Sequence, residues 1–288
     1  MRSSAAVGRA AEPSSAAGFS ARTVDGRRLL GHDRAMSLMP RFKIGRDRRP
    51  VTPLDPTQMA GPLLIVAPHP DDESLGAAGL IALMQRAGRD IHVVVVSDGG
   101  ASHPNSRRFT RAGLALQRAH EARVALEVLG VEAARLDLWN VADGGVPDQG
   151  HPDFDRLVAR AAVMLAETRP GTLVLPWRAD PHADHIATSA IWRAALDRWG
   201  GRPRLLEYPI WFDLVPDLGP RPPVEAFRVL QLDIWPVLAM KRRAIEAHAS
   251  QIGLLIDDDP DAFRFGQEFR DRFETGHETF FEWLIPGV

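Results

Sequence analysis

The sequence contains no cysteine. That excludes disulfides, thiolate zinc sites and cysteine nucleophiles, but does not by itself fix a compartment. It also lacks charge imbalance: 35 Lys and Arg against 37 Asp and Glu leave a formal net charge of −2. No global field therefore draws the chain to nucleic acid or to an anionic membrane. A run of about 18 apolar residues, the length of a membrane span, is missing. So are an internal repeat and, near the start, the continuous apolar centre of a secretory signal. What is present is ordinary globular material, 45% apolar and 25% charged over 288 residues, with a core large enough to need no staples.

Residues 1–56 are of different composition, rich in Ala, Ser, Arg and Gly and almost without apolar periodicity. They are expected to be a disordered leader, with 57–288 as the folded domain. From Gly61 onward strands and helices alternate. Apolar runs at 63–67, 91–97, 136–139 and 172–176 predict strands, and periodic stretches at 74–87, 110–129, 153–167 and 186–199 predict helices. Val93-Val94-Val95-Val96 suits a strand buried on both faces. Such alternation predicts an α/β fold, a Rossmann-like three-layer sandwich with a mostly parallel central sheet. After Gly200 it breaks down. Strands at 205–212 and 227–234, separated by a proline-rich loop at 216–223, and a helix at 236–252 predict a C-terminal α/β extension. An aromatic end, 263–273 and 279–284, is expected to pack back on the body.

The chemistry is concentrated at two strand ends. The first strand runs into Pro68-His69-Pro70-Asp71-Asp72-Glu73, one imidazole and three carboxylates that are costly to bury unless paired or bound to a metal. His69 and Asp72 lie three apart across a turn and can face one cation while Asp71 points elsewhere. Helix capping by Asp72 is the plainer alternative. The fourth strand exits into Trp177-Arg178-Ala179-Asp180-Pro181-His182-Ala183-Asp184-His185. In a parallel sheet both ends share one edge, so together they can offer two imidazoles and a carboxylate to one zinc ion with a position left open, the pattern of a catalytic site. Simple capping of the next helix by His182 and His185 is the competing account.

These segments, with Ser97-Asp98-Gly99-Gly100 between them, resemble the three signature segments of the PIG-L/LmbE-like deacetylases. That family is one of zinc-dependent hydrolases that remove acyl groups, usually acetyl, from amino sugars and their conjugates. The resemblance extends over 61–251, its last part being Lys241, His248 and Ser250-Gln251. It implies zinc ligands His69, Asp72 and His185, one ion per chain, with ferrous iron an alternative. It further implies that Asp71 is the general base for the attacking water, that His182 stabilises the oxyanion or protonates the leaving amine, and that Asp184 orients His182. Pro68, where many relatives carry a small residue, and Ala183, where a proline is frequent, depart from the pattern without altering the ligand spacing.

Weaker candidates complete the reading. Asp143 sits where relatives bind a sugar hydroxyl, although an Asp-Gly turn needs no such role. Arg108, or its neighbour Arg107, lies in the loop after the second strand and could clamp substrate. Arg118 and Glu121 are spaced to pair with each other on a helix. Trp139, Trp177 and Trp211 suit stacking on a sugar ring, with core packing expected for at least two. The implied protein is a cytoplasmic enzyme acting on a small molecule or glycoconjugate, without nucleic acid or membrane span. An amidase of non-sugar conjugates would share the chemistry. A metal-free nucleotide-sugar binding or transferase domain would instead need a glycine-rich phosphate turn after the first strand; three acids stand there.

Overall fold

In β2 (Leu63–Ala67) and β5 (Thr172–Pro176) every residue is buried, as expected of parallel strands covered on both faces. These two strands pair directly, Leu63 opposite Thr172. Beyond β2 lie β3 (Ile91–Ser97) and β4 (Leu136–Val141), also parallel. Beyond β5 lies β6 (Arg204–Tyr208). The chain thus winds outward from β2 in one direction and then in the other. The reversal falls between β2 and β5, and open α/β sheets bind their ligands at the carboxyl ends of the strands at such a point. The computed structural model describes residues 51–212, 226–262 and 264–284; the expected leader up to residue 50 and the proline-rich loop lie outside them.

Among the described residues the strand order is β1-β7-β8-β6-β5-β2-β3-β4, with β1 (Val51–Pro53), β7 (Phe227–Asp233) and β8 (His277–Trp283). Among these eight strands only β8 runs antiparallel to its neighbours. The sheet is mostly parallel, as expected, and the extension supplies one side of it. Two boundaries differ from expectation. β1 pairs with β7 and is followed by buried Leu54 and Met59, so the sheet begins before residue 57. The aromatic segment at 279–284 does not merely pack on the body; most of it is β8, inside the sheet.

Among the described residues the helices are α1 (Asp72–Gly76), α2 (Ala78–Arg86), α3 (Arg111–Val128), α4 (Phe154–Thr168), α5 (Ala183–Trp199), α6 (Leu238–Glu246) and α7 (Gln267–Arg270). On one face Leu64, Val66, Val94, Val96, Leu173 and Leu175 meet α4 and α5. Leu157, Val158, Ala161 and Leu165 form the buried stripe of α4, at the spacing of one helical face. On the other face Leu63, Ile65 and Ala67 are equally buried. There α1 and α2 contact the sheet, and α6 packs on both α2 and α3.

The single helix expected over 74–87 is two helices, broken at Ala77 (φ −140°, ψ 6°). Glu278 of β8 accepts from the Gly79 and Leu80 amides at 2.7 and 2.9 Å, satisfying donors that a new helix start exposes. Lys241 donates to the Leu75 carbonyl and to Glu278, both at 2.7 Å, satisfying an acceptor at the old helix end. Periodicity cannot show such a break, because the groups that cap it come from distant parts of the chain.

Trp192 anchors the core under α4 and α5. It is fully buried and stacks on Trp139 with ring centroids 5.3 Å apart. Trp192→Ala removes a fully buried indole from that layer and leaves a cavity, so unfolding in urea should show a loss of about 3–5 kcal/mol.

Candidate active site

β2 ends at Ala67, and the chain turns through His69 to Asp71, the N-cap of α1. Asp71 makes no capping hydrogen bond through its side chain. Its carboxylate instead accepts from Arg118 Nη2 at 2.5 Å. Asp72 does not cap either: its Oδ2 accepts from the His69 amide at 2.9 Å and stands 3.2 Å from both His69 Nδ1 and His185 Nε2. From the other strand end, His182 is the N-cap of α5, its Nδ1 accepting from the Asp184 amide at 3.2 Å. The capping account is therefore true of His182 and untrue of His185.

His185 is fully buried, and neither ring nitrogen has a hydrogen-bond partner. Nε2 faces Asp72 at 3.2 Å and Nδ1 faces Asp180 at 3.5 Å, ion-pair separations without hydrogen-bond geometry. Two ligand atoms each about 2.0–2.1 Å from one tetrahedral zinc ion are spaced at roughly 3.3 Å, close to the separations around Asp72 Oδ2. Behind the potential ligand atoms stand carboxylates. His69 Nε2 lies 3.2 Å from Asp184 Oδ2 and 3.3 Å from Asp143 Oδ1. Metal-bound imidazoles characteristically back onto carboxylates in this way.

Two groups of donors are close enough to share a cation: His69, Asp72 and His185, or His69, His182 and Asp184, each with ligand atoms within 4.8 Å of one another. The first group suits a metal better. In the second, Asp184 already accepts from the Gly144 and Val146 amides at 2.8 and 3.2 Å, and His182 Nδ1 caps a helix. His69, Asp72 and His185 are all buried, and two of the imidazole atoms have no better partner than the shared Asp72 oxygen.

The charges point the same way. Burial opposes ionisation of Asp72, yet His185 and His69 together hold its carboxyl well below the usual range. Burial also opposes protonation of His185, but Asp72 and Asp180 lift it to about 9. His69 is likewise raised, against burial, by Asp143, Asp184 and Asp72. The pocket asks for positive charge at both imidazoles, which a divalent cation supplies in place of protons. His182 is pushed the opposite way, to about 4, by burial and then by His69 and His185, so it is a neutral ring. Burial raises Asp71 to about 7 against the pull of Arg118.

Several expectations change. The Asp184 carboxylate reaches His69, and its residue meets His182 through the backbone amide, so the orienting contact falls on a different histidine. Asp143 is committed to His69 and to the Ala101 amide, 2.8 Å away, which makes it a wall of the cluster instead of an open sugar hook. Arg108 pairs with exposed Asp257 at 2.8 Å, tying two surface loops, and the Arg107 amide likewise binds Asp258 at 2.7 Å. Arg118 pairs with Asp71 and not with Glu121, which accepts from Ser250. Trp139 and Trp177 are buried, whereas Trp211 is partly buried with its ring 6.3 Å from that of His182. Asp180, a member of the second cluster to which the sequence assigns no role, accepts from the amides of His182, Ile210 and Trp211 at 3.1, 3.3 and 3.1 Å. A cavity of about 320 Å³ lined by Leu75, Ile210, Phe212, Lys241 and Glu278 contains none of the cluster residues.

Comparison with known proteins adds a family and relatives. The family model described as PIG-L, GlcNAc-PI de-N-acetylase, matches residues 64–196. The diacetylchitobiose deacetylase of Thermococcus kodakarensis is 26% identical over 66% of this chain and 69% of its own length. A 1D-myo-inositol 2-acetamido-2-deoxy-alpha-D-glucopyranoside deacetylase of Rhodococcus jostii is 28% identical over 66% of this chain and 81% of its own. Among solved structures, the 4-carboxy-2-hydroxymuconate hydratase GalB of Pseudomonas putida superposes with a TM-score of 0.56 at 20% identity, covering 80% of this chain and 98% of that one. That likeness is one of fold.

Proposed function

With a PIG-L family domain across residues 64–196 as its premise, the site leads us to propose a zinc-dependent hydrolase that removes an N-acetyl group from an amino sugar or glycoconjugate. The two sequence relatives support the substrate class, since both are named as deacetylases of N-acetylated sugars. The observation that carries the chemistry is the meeting of His69, Asp72 and His185 at the point where the winding of the sheet reverses. We assign these three residues as the ligands of one zinc ion; ferrous iron would accept the same donors. Among the described residues no helix is long and apolar enough to cross a membrane.

A bound zinc ion supplies Lewis acidity, polarising the acyl carbonyl and making water a better acid. The protein groups do the rest. Asp71, with Oδ2 held by Arg118, takes a proton from the attacking water on its other oxygen. His182 is neutral with Nδ1 accepting from the Asp184 amide, so its proton sits on Nε2. That N–H donates to the carbonyl oxygen as negative charge builds there. The proton taken by Asp71 passes to the leaving nitrogen as the C–N bond breaks, giving a free amine and acetic acid, which ionises to acetate by losing the second water proton to solvent. Asp184, Asp143 and Asp180 hold the two ligand imidazoles in place from behind.

Metal analysis separates the ligands from the neighbours. After dialysis His185→Ala should have lost most of its zinc, whereas His182→Ala should keep it; equal retention in both would refute the ligand assignment.

Asp71→Asn is nearly isosteric and leaves the three ligands intact. Its metal content should match that of the wild-type protein while amine release from an N-acetylated amino sugar falls by about a hundred- to ten-thousand-fold. Asp72→Asn should lose metal and turnover together.

A further inference from the structure

Asp71 has a backbone conformation that L-residues rarely adopt, φ 153° and ψ −26°. Such a conformation persists only where its surroundings over-determine it. Two separate holds do so here. The first grips the main chain. The Asp71 amide donates to Glu73 Oε2 at 3.1 Å. Glu73 is wholly buried, and its second oxygen accepts from the Ser74 hydroxyl at 2.9 Å and lies 3.3 Å from His248 Nε2. That same nitrogen is 3.0 Å from Ser74 Oγ.

The second hold grips the side chain. Arg118 of α3 is buried, and its Nη2 donates to Asp71 Oδ2 at 2.5 Å and to the Pro70 carbonyl at 3.0 Å. Nη1 donates to the Gly99 carbonyl at 2.9 Å. Gly99 adopts φ +65°, and a Cβ there would stand 2.6 Å from Nη1, so only glycine serves on both counts. The two holds are joined. Glu121, on the same helix as Arg118, accepts from the Ser250 amide and hydroxyl at 2.8 and 2.7 Å, fastening the segment that carries His248.

We propose that Arg118 and the Glu73–His248 pair are positioning residues for Asp71, and that the Asp98-Gly99-Gly100 turn serves the reaction by seating Arg118. The proposal rests on Asp71 being the general base. Neither hold uses a residue of the metal donor group, so the two holds act on the base while leaving the ligands untouched. An arginine that binds two carbonyls and one carboxylate oxygen fixes the carboxylate's direction, and catalysis is sensitive to such direction: a misplacement of about 1 Å costs on the order of a hundredfold.

The test is a set of mutant cycles on the full chain loaded with zinc, using an N-acetylated amino sugar from which the wild-type protein releases amine. Arg118→Met, Arg118→Lys, His248→Leu and His248→Gln are each made alone and together with Asp71→Asn, and kcat, KM, zinc content and melting temperature are measured. Arg118→Met should lower kcat by about ten- to a hundredfold with KM and zinc content unchanged. Arg118→Lys should recover part of the loss, and His248→Gln, which retains a polar group toward Glu73, should lose less than His248→Leu. In the Asp71→Asn background the same substitutions should change kcat by less than about twofold. Equal fold-losses with and without Asp71 would overturn the positioning role, as would loss of zinc in place of kcat. Should Arg118→Met fail to fold, Arg118→Lys and the two His248 variants carry the same comparison. Wild-type turnover in Asp71→Asn itself would instead overturn the assignment of the base, and with it the role of its holders.

Discussion

Buried negative charge dominates this structure. Asp71, Asp72, Asp180 and Asp184 are all almost inaccessible and crowd the ends of two adjacent strands. A buried carboxylate is tolerated only with a partner, and here the partners come from far along the chain. Arg118 comes from α3, His185 from α5, and the amides that receive Asp184 from the loop after β4. The site is therefore also a set of constraints on the fold, because helices and loops must arrive in register for the charges to be matched. The same requirement explains why two histidines are held toward protonation and a third is held neutral within a few ångströms.

How much of this was legible beforehand depended on the range of the information. β2, β3 and β5 lie where their apolar runs ended, since a strand buried on both faces is a local pattern. The meeting of His69 and Asp72 with His185 could be foreseen because parallel strands deliver their carboxyl ends to one edge. The break at Ala77 could not, because Glu278 and Lys241 impose it from the C-terminal extension. Arg118 departs from its expected pairing for a related reason. The spacing to Glu121 is a real local signal, but a buried carboxylate at 2.5 Å outweighs a helical neighbour. The resemblance implies that Asp184 orients His182 and places Asp143 at a sugar hydroxyl, whereas both carboxylates lie against His69.

The fold alone would not have settled the chemistry. A hydratase shares the architecture over most of its length, and function resides in sites grafted on folds. The proposed chemistry rests on the donor group, with its neutral His182 on one side and an arginine-held aspartate on the other. The glycine turn between the two main segments, weak as a motif by itself, belongs to the same apparatus: it leaves room for Arg118.

β8 also bears on how the sheet is assembled. It is the last described strand in chain order, yet it lies between β6 and β7. Until residues 277–283 are made and inserted, β7 has no connection to the sheet that carries the site, and β1, paired to β7 alone, has none either. The earliest described strand is therefore among the last to dock. Contacts of such long sequence separation form slowly and leave strand edges exposed in the meantime. A message cut short before residue 277 would yield a molecule missing its middle, with the catalytic half and its lateral support no longer joined by backbone hydrogen bonds.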